Sequence, residues 1–153
     1  MKSVAGMMLV ALCAIGCGGG GESATSSALT KTSTLPTQPT TYTGTLVLGN
    51  VLVGPLTTVI NPDGSFTMSV PANQGQVAVS MSGDIVTRVD GTLGITFTMT
   101  PAANGQFTSY QVSTTMAYTG GGVITIGVSS ISGTFNIQQT GLGWPLMTFG
   151  GTS

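Results

Sequence analysis

Histidine is absent from this chain of 153 residues. Histidine is the side chain that most often moves protons near neutral pH and the commonest metal ligand. Its absence excludes Ser-His-Asp triads, Cys-His nucleophiles and Cys/His zinc sites. We therefore expect a protein that is not an enzyme and that holds no metal and no cofactor.

Charge is also scarce, at 5% of the residues where roughly 25% is typical. Without a basic patch, the chain offers nothing to nucleic-acid phosphates. The outward faces of its strands must consist of Thr, Ser, Gln, Asn and Gly. Neutral or partly apolar partners fit such a surface: glycans, other envelope proteins, a small apolar ligand or a membrane surface.

The chain has only two cysteines, Cys13 and Cys17, which follow a basic Lys2 and a short apolar run. The run from residue 4 to 17 is shorter than the roughly 20 residues that span a membrane. A basic start, an apolar middle and small residues at the end are the layout of a secretory signal. If the chain is cut before Cys17, that residue is the only cysteine left, so no disulfide can form.

The residues Ala14-Ile15-Gly16-Cys17 resemble the lipobox of bacterial lipoprotein signal peptides, although Leu is commonest where Ala14 stands. Cys13 is a poorer match, because bulky Leu12 precedes it. The resemblance implies that residues 1–16 are a removed signal peptide, that Cys17 is lipidated and that the lipid anchors the protein to a membrane of the bacterial cell envelope. The residue after Cys17 is Gly18 and not Asp, and in this the chain resembles lipoproteins that are sent to the outer membrane. Plain secretion and a retained helix are the alternatives.

Residues 17–41 are rich in Gly, Ser, Thr and Pro, and such a segment carries too few large apolar residues to bury itself. We expect a disordered, flexible tether with a reach of roughly 25 to 30 Å. The alternative is that its second half pairs with the following domain as an edge strand.

Residues 42–153 alternate between apolar and polar side chains. Leu93, Ile95, Phe97 and Met99 fall on one face of a strand, and threonines fall on the other. This period of two predicts half-buried antiparallel strands, and we find no convincing helix. The same alternation predicts a further strand with one face formed by Tyr110, Val112, Met116 and Tyr118. Turn residues separate the runs at 61–64, 71–75, 90–91, 101–105 and 119–122.

Short turns between consecutive strands predict an up-and-down arrangement. We expect a single all-β domain of about eight to ten antiparallel strands, either a small closed barrel or a two-sheet sandwich. The architecture is similar to lipocalin-like small barrels, and this likeness implies an alternative function as a calycin-like carrier with a small apolar ligand inside. The Gly-X-Trp that opens lipocalins is absent near the first strand, and Trp144 lies near the other end of the chain.

Asp84, Arg88 and Asp90 concentrate most of the charge of this domain. On a regular strand they share a face, which indicates either a binding patch or charges that protect an edge strand from aggregation. A glycosidase needs two carboxylates roughly 5 to 9.5 Å apart, one of them shielded, so catalysis would require Asp63 to fold back beside Asp84 or Asp90.

Trp144 is the only tryptophan and stands between glycine and proline. It is a candidate for stacking on a ligand such as a sugar or for closing a barrel mouth, and the alternative is an indole packed in the core. Taken together, the sequence predicts a lipid-anchored bacterial envelope lipoprotein with a non-catalytic structural or interaction domain.

Overall fold

The computed structural model describes residues 33–138 and 143–153. The predicted signal peptide, Cys17 and the tether up to residue 32 lie outside the described residues. Ser33–Ser153 form one compact unit. Within this unit, the Ser33 hydroxyl accepts a hydrogen bond from the Ile126 amide at 3.3 Å, and Leu35 packs against the apolar core.

The described residues form strands and no helix, as the alternating pattern predicts. The strands are β1 (Thr40–Leu48), β2 (Val51–Ile60), β3 (Ser65–Val70), β4 (Val79–Thr87), β5 (Leu93–Pro101), β6 (Gly105–Phe107), β7 (Tyr110–Val112), β8 (Tyr118–Ile126), β9 (Ser130–Gln138) and β10 (Met147–Thr152). Among these residues there is no helix long and apolar enough to cross a membrane.

Eight of these strands close into one antiparallel barrel in the order β1-β10-β9-β8-β5-β4-β3-β2. Closure comes from β1 and β10, which pair from Thr43 with Thr152 to Leu48 with Met147. The closed barrel excludes the two-sheet sandwich and confirms the up-and-down arrangement. The remaining two strands, β6 and β7, form a separate hairpin between β5 and β8.

The barrel has two distinct ends. At the Thr40 end, β1 begins, and the turns at Asn61–Gly64 and Arg88–Thr92 join β2 to β3 and β4 to β5. At the hairpin end, β1 finishes at Leu48 and the β6–β7 hairpin follows β5. The hairpin is bonded to the β3–β4 connection, because the Val77 amide donates to the Gln106 carbonyl at 2.8 Å.

The inward side chains form one continuous apolar cluster. Phe97 and Phe135 meet edge to face with ring centroids 5.0 Å apart, and Phe135 lies 5.8 Å from Phe149. Outward positions carry hydroxyls: Thr96 and Thr98 are exposed on either side of buried Phe97. The predicted alternation is therefore the alternation between the barrel interior and its surface.

The predicted turn at residues 119–122 is wrong, because Thr119 and the three glycines that follow it lie within β8. Gly120 pairs directly with Phe97 of β5, and an added Cβ at Gly120 would lie 2.8 Å from the Phe97 ring atom Cε2. At Gly122, an added Cβ would lie 2.7 Å from Cβ of Phe135. Gly120 leaves room for the aromatic ring of Phe97, whereas Gly122 allows the backbone of β9 to approach closely.

The series from residue 110 to 118 is also not one strand. Tyr110 and Val112 belong to β7, and Tyr118 opens β8. Met116 lies between them and is exposed. The Ser113 amide donates to the Tyr118 hydroxyl at 2.9 Å, so the chain turns back on itself between the hairpin and the barrel.

Candidate functional site

The charged residues Asp84, Arg88 and Asp90 do not share one strand face. Asp84 lies on β4, which ends at Thr87, while Arg88 and Asp90 belong to the turn that leads into β5. The prediction treated residues 84–90 as one regular strand, but a turn begins after Thr87. The predicted shared face is therefore wrong. The edge-strand interpretation is wrong as well, because β4 pairs with both β3 and β5.

Arg88 has a structural position on the outer wall of the barrel. Its side chain lies against Gly94 of β5, where an added Cβ would be 2.7 Å from Nε. From there its Nη2 donates to the Gly122 carbonyl of β8 at 2.9 Å. The guanidinium therefore links the β4–β5 turn to the next strand of the barrel, and the glycine at residue 94 makes room for it.

The carboxylates Asp63 and Asp90 are each held by their own turn. Asp63 accepts hydrogen bonds from the Ser65 hydroxyl at 2.7 Å and from the Ser65 amide at 2.9 Å. These bonds lower its pKa, the hydroxyl having the larger effect. The Thr92 hydroxyl and amide lower the pKa of Asp90 in the same way, because hydrogen bonds to the charged form favour it.

Asp63 bonds to Ser65, and Ser65 pairs with Asp84 across β3 and β4. All three carboxylates are nevertheless exposed. A glycosidase acid must hold its proton at neutral pH, which requires a raised pKa. The pKa values of Asp63 and Asp90 are lowered instead, so neither carboxyl group fits the role of a glycosidase acid. Among the described residues, no group of three or more His, Cys, Asp or Glu could hold a metal ion.

Trp144 is 7% exposed and lies at the hairpin end, just before β10. Tyr110 of β7 stacks on it with ring centroids 4.3 Å apart and planes 20° apart. Phe107 and Tyr118 approach it at 6.4 Å. The indole of Trp144 is therefore packed within the buried apolar core.

A pocket of about 430 Å³ lies beside this aromatic group. Its walls come from four separate parts of the chain: the β1–β2 turn, the β3–β4 connection, the β6–β7 turn and the segment before β10. The lining residues are Leu48, Val51, Gln76, Thr108, Ser109, Tyr110 and Pro145. The sequence pattern did not reveal this pocket, because it singled out Trp144, whereas the aromatic residue that lines the pocket is Tyr110.

Two polar atoms in this region are buried without a hydrogen-bond partner among the described residues: Oγ1 of Thr108 and Nε1 of Trp144. Thr108 also has a positive φ of 57°, a conformation that is uncommon for a β-branched residue. Gln76 holds Thr108 in place, because its Oε1 accepts from the Thr108 amide at 3.1 Å. The pocket is therefore built around a residue held in an unfavourable backbone conformation.

Charge is distributed unevenly between the two ends of the barrel. Asp63, Arg88 and Asp90 lie in turns at the Thr40 end, and Asp84 is opposite Ser65 at the start of β3. The pocket at the hairpin end is lined entirely by uncharged residues. A comparison of this chain with protein-family models, with curated proteins and with solved structures finds no match.

Proposed function

We propose that this chain is a bacterial lipoprotein, anchored through lipid on Cys17, whose barrel is a non-catalytic structural or interaction domain. The support for the anchor is the sequence Gly16-Cys17 after a basic start and a short apolar run. We also propose that the lipid anchor lies in the outer membrane, and the support for this is Gly18 after the cysteine.

One observation supports a non-catalytic barrel most strongly: the interior is a single apolar cluster. Among the described residues, Thr58 is the one buried polar residue. General acid–base and nucleophilic catalysis both need polar groups in a shielded site. The carboxylates of the described residues are all on the surface, where hydrogen bonds favour the charged forms of Asp63 and Asp90.

A carrier with an apolar ligand inside the barrel receives less support. Phe66, Tyr118 and Phe135 are at most 1% exposed and occupy the interior. A ligand in the same space would have to displace side chains of this size. The domain therefore fits an interaction through its surface better than storage inside the barrel.

The anchor is tested by substituting each cysteine in turn and following detergent partitioning of the full-length protein expressed in a bacterial host. Cys17→Ser should move the protein from the detergent phase to the aqueous phase or block its processing, because each buried methylene of an acyl chain contributes about 0.8 kcal/mol to membrane binding. Cys13→Ser is the matched control and should partition like the wild type. Equal partitioning of the wild type and a Cys17→Ser protein that has been cut to the same length would contradict the anchor.

A further inference from the structure

We infer that the pocket at the hairpin end binds a neutral saccharide, with one pyranose ring stacked on Tyr110. This inference deepens the proposed function, on which it rests for the non-catalytic character of the domain, by naming the partner's chemical class. It depends on the ring of Tyr110, the polar groups around it and the absence of charge from the lining residues.

The first argument is that Tyr110 is a supported aromatic platform. Tyr110 lines the pocket, and its ring is backed by the indole of Trp144 at 4.3 Å. Its hydroxyl donates to the Gly143 carbonyl at 3.3 Å, which fixes the orientation of the ring. The C–H bonds of a pyranose face carry partial positive charge and are attracted to the negative face of an aromatic ring. A ring fixed before binding loses little conformational entropy when a ligand stacks on it.

Hydrogen-bonding groups lie beside Tyr110 in the lining of the pocket. Ser109 is exposed in the lining of the pocket. The Oε1 of Gln76 is already bonded to the Thr108 amide, which holds the side chain so that its Nε2 group is available to donate. Hydroxyl and amide groups of this kind match the hydroxyls of a sugar, each of which both donates and accepts.

The volume of the pocket and its uncharged lining also fit a neutral saccharide. A volume of about 430 Å³ lies within the range of small-ligand sites. Leu48, Val51 and Pro145 supply the apolar part of the lining, and no lysine or arginine is present there to pair with a phosphate or carboxylate. The chemistry therefore selects a neutral ligand that has both C–H faces and hydroxyl edges.

Ser33 and the pocket lie at opposite ends of the barrel. Ser33 bonds to Ile126 at the Thr40 end, whereas the pocket lies at the hairpin end. The β1 strand runs between the two ends over 9 residues, or roughly 30 Å at about 3.4 Å per residue.

The test uses the full-length protein in detergent and a panel of neutral sugars: glucose, galactose, N-acetylglucosamine, and the disaccharides cellobiose, lactose and chitobiose. Saturation-transfer NMR should show transfer to at least one of them. Binding should also change the emission of Trp144, the only tryptophan in the chain, because it lies directly behind Tyr110. Transfer to none of these sugars at millimolar concentration would overturn the inference.

Two variants distinguish stacking from a structural role. Tyr110→Ala should weaken binding at least about tenfold, as is typical for an aromatic anchor in a binding site. Tyr110→Phe keeps the ring and should bind within about threefold of the wild type, since the hydroxyl contacts Gly143 and not the proposed ligand. Loss of binding in both variants, with unchanged circular dichroism, would contradict stacking on the ring.

Two further controls separate this inference from its alternatives. Cys17→Ser should bind the same sugar as the wild type, so a failed anchor and a failed pocket give different results. Thr96→Ala, on the outer wall away from the pocket, should also bind normally. If the pocket binds an apolar fluorescent probe but none of the sugars, the saccharide inference is wrong.

Discussion

Thr58 interrupts the apolar character of the barrel interior. It is 1% exposed on β2, opposite Tyr42 of β1 and Met68 of β3. Its Oγ1 has no hydrogen-bond partner among the described residues. A buried hydroxyl without a partner costs about 1 to 3 kcal/mol of stability. Thr58 follows exposed Thr57, and the two are indistinguishable by residue type, so only the phase of the alternation identifies which one is buried.

We predict that Thr58→Val increases the free energy of unfolding by about 1 kcal/mol, because valine has the same shape and needs no hydrogen bond. Thr57→Val, one residue away and exposed, is the matched control and should change stability by less than about 0.5 kcal/mol. Urea denaturation of both variants measures the difference. A loss of stability in Thr58→Val would mean that the hydroxyl is bonded in the folded protein.

The residue-scale predictions from the sequence succeeded where a local environment determines the outcome. Phe97 is buried and Thr96 is exposed, as their positions in the alternation require. The shared face of Asp84, Arg88 and Asp90 failed, because the residues Asp90-Gly91 form a turn that ends the alternation. Gly91 has a φ of 82°, which the sequence signals through its Asp-Gly pair.

At the scale of elements, β8 shows how glycine in a strand can be part of the packing. Gly120 faces the interior between Phe97 of β5 and Ile137 of β9. Glycine weakens a strand when nothing packs in its place. In β8 an aromatic ring of the neighbouring strand occupies the space that a side chain would fill.

We predict that Gly120→Ala destabilises the protein by about 1 to 3 kcal/mol, because the added methyl group overlaps the ring of Phe97 and an overfilled core costs this much. Gly150→Ala in β10 is the matched control, since its added Cβ would lie 3.6 Å from the nearest atom, the Ile131 carbonyl oxygen. That variant should be neutral or slightly stabilised. Thermal unfolding compares the two. Equal melting shifts would show that the interior accommodates a side chain at residue 120.

The β6–β7 hairpin is the element that the sequence pattern does not reveal. Each of its strands has three residues, which is too few to establish a period of two. Its turn also contains Thr108 with a positive φ, where a glycine or asparagine would have given a recognisable signal. Phe107 is fully buried against the barrel, so tertiary packing stabilises the hairpin.

At the scale of the whole molecule, the strand content and the up-and-down order were predictable, but the closure was not. Alternation and turn residues act over a few residues each. The pairing of Thr43 with Thr152 that closes the barrel joins the two ends of the domain, and no local pattern encodes it. The pocket has the same origin, because its walls come from segments between Leu48 and Pro145. Its candidate ligand therefore became visible only in the folded chain.

The central claim about the whole molecule is that a lipid on Cys17 anchors this barrel to the bacterial envelope. The most direct test is intact-mass spectrometry of the wild-type protein extracted from the membranes of a bacterial host with detergent. We predict a mature chain that begins at Cys17, with added mass equal to a diacylglyceryl group and one amide-linked acyl chain. A mature chain that begins at another residue, or that carries an unmodified Cys17, would contradict the claim.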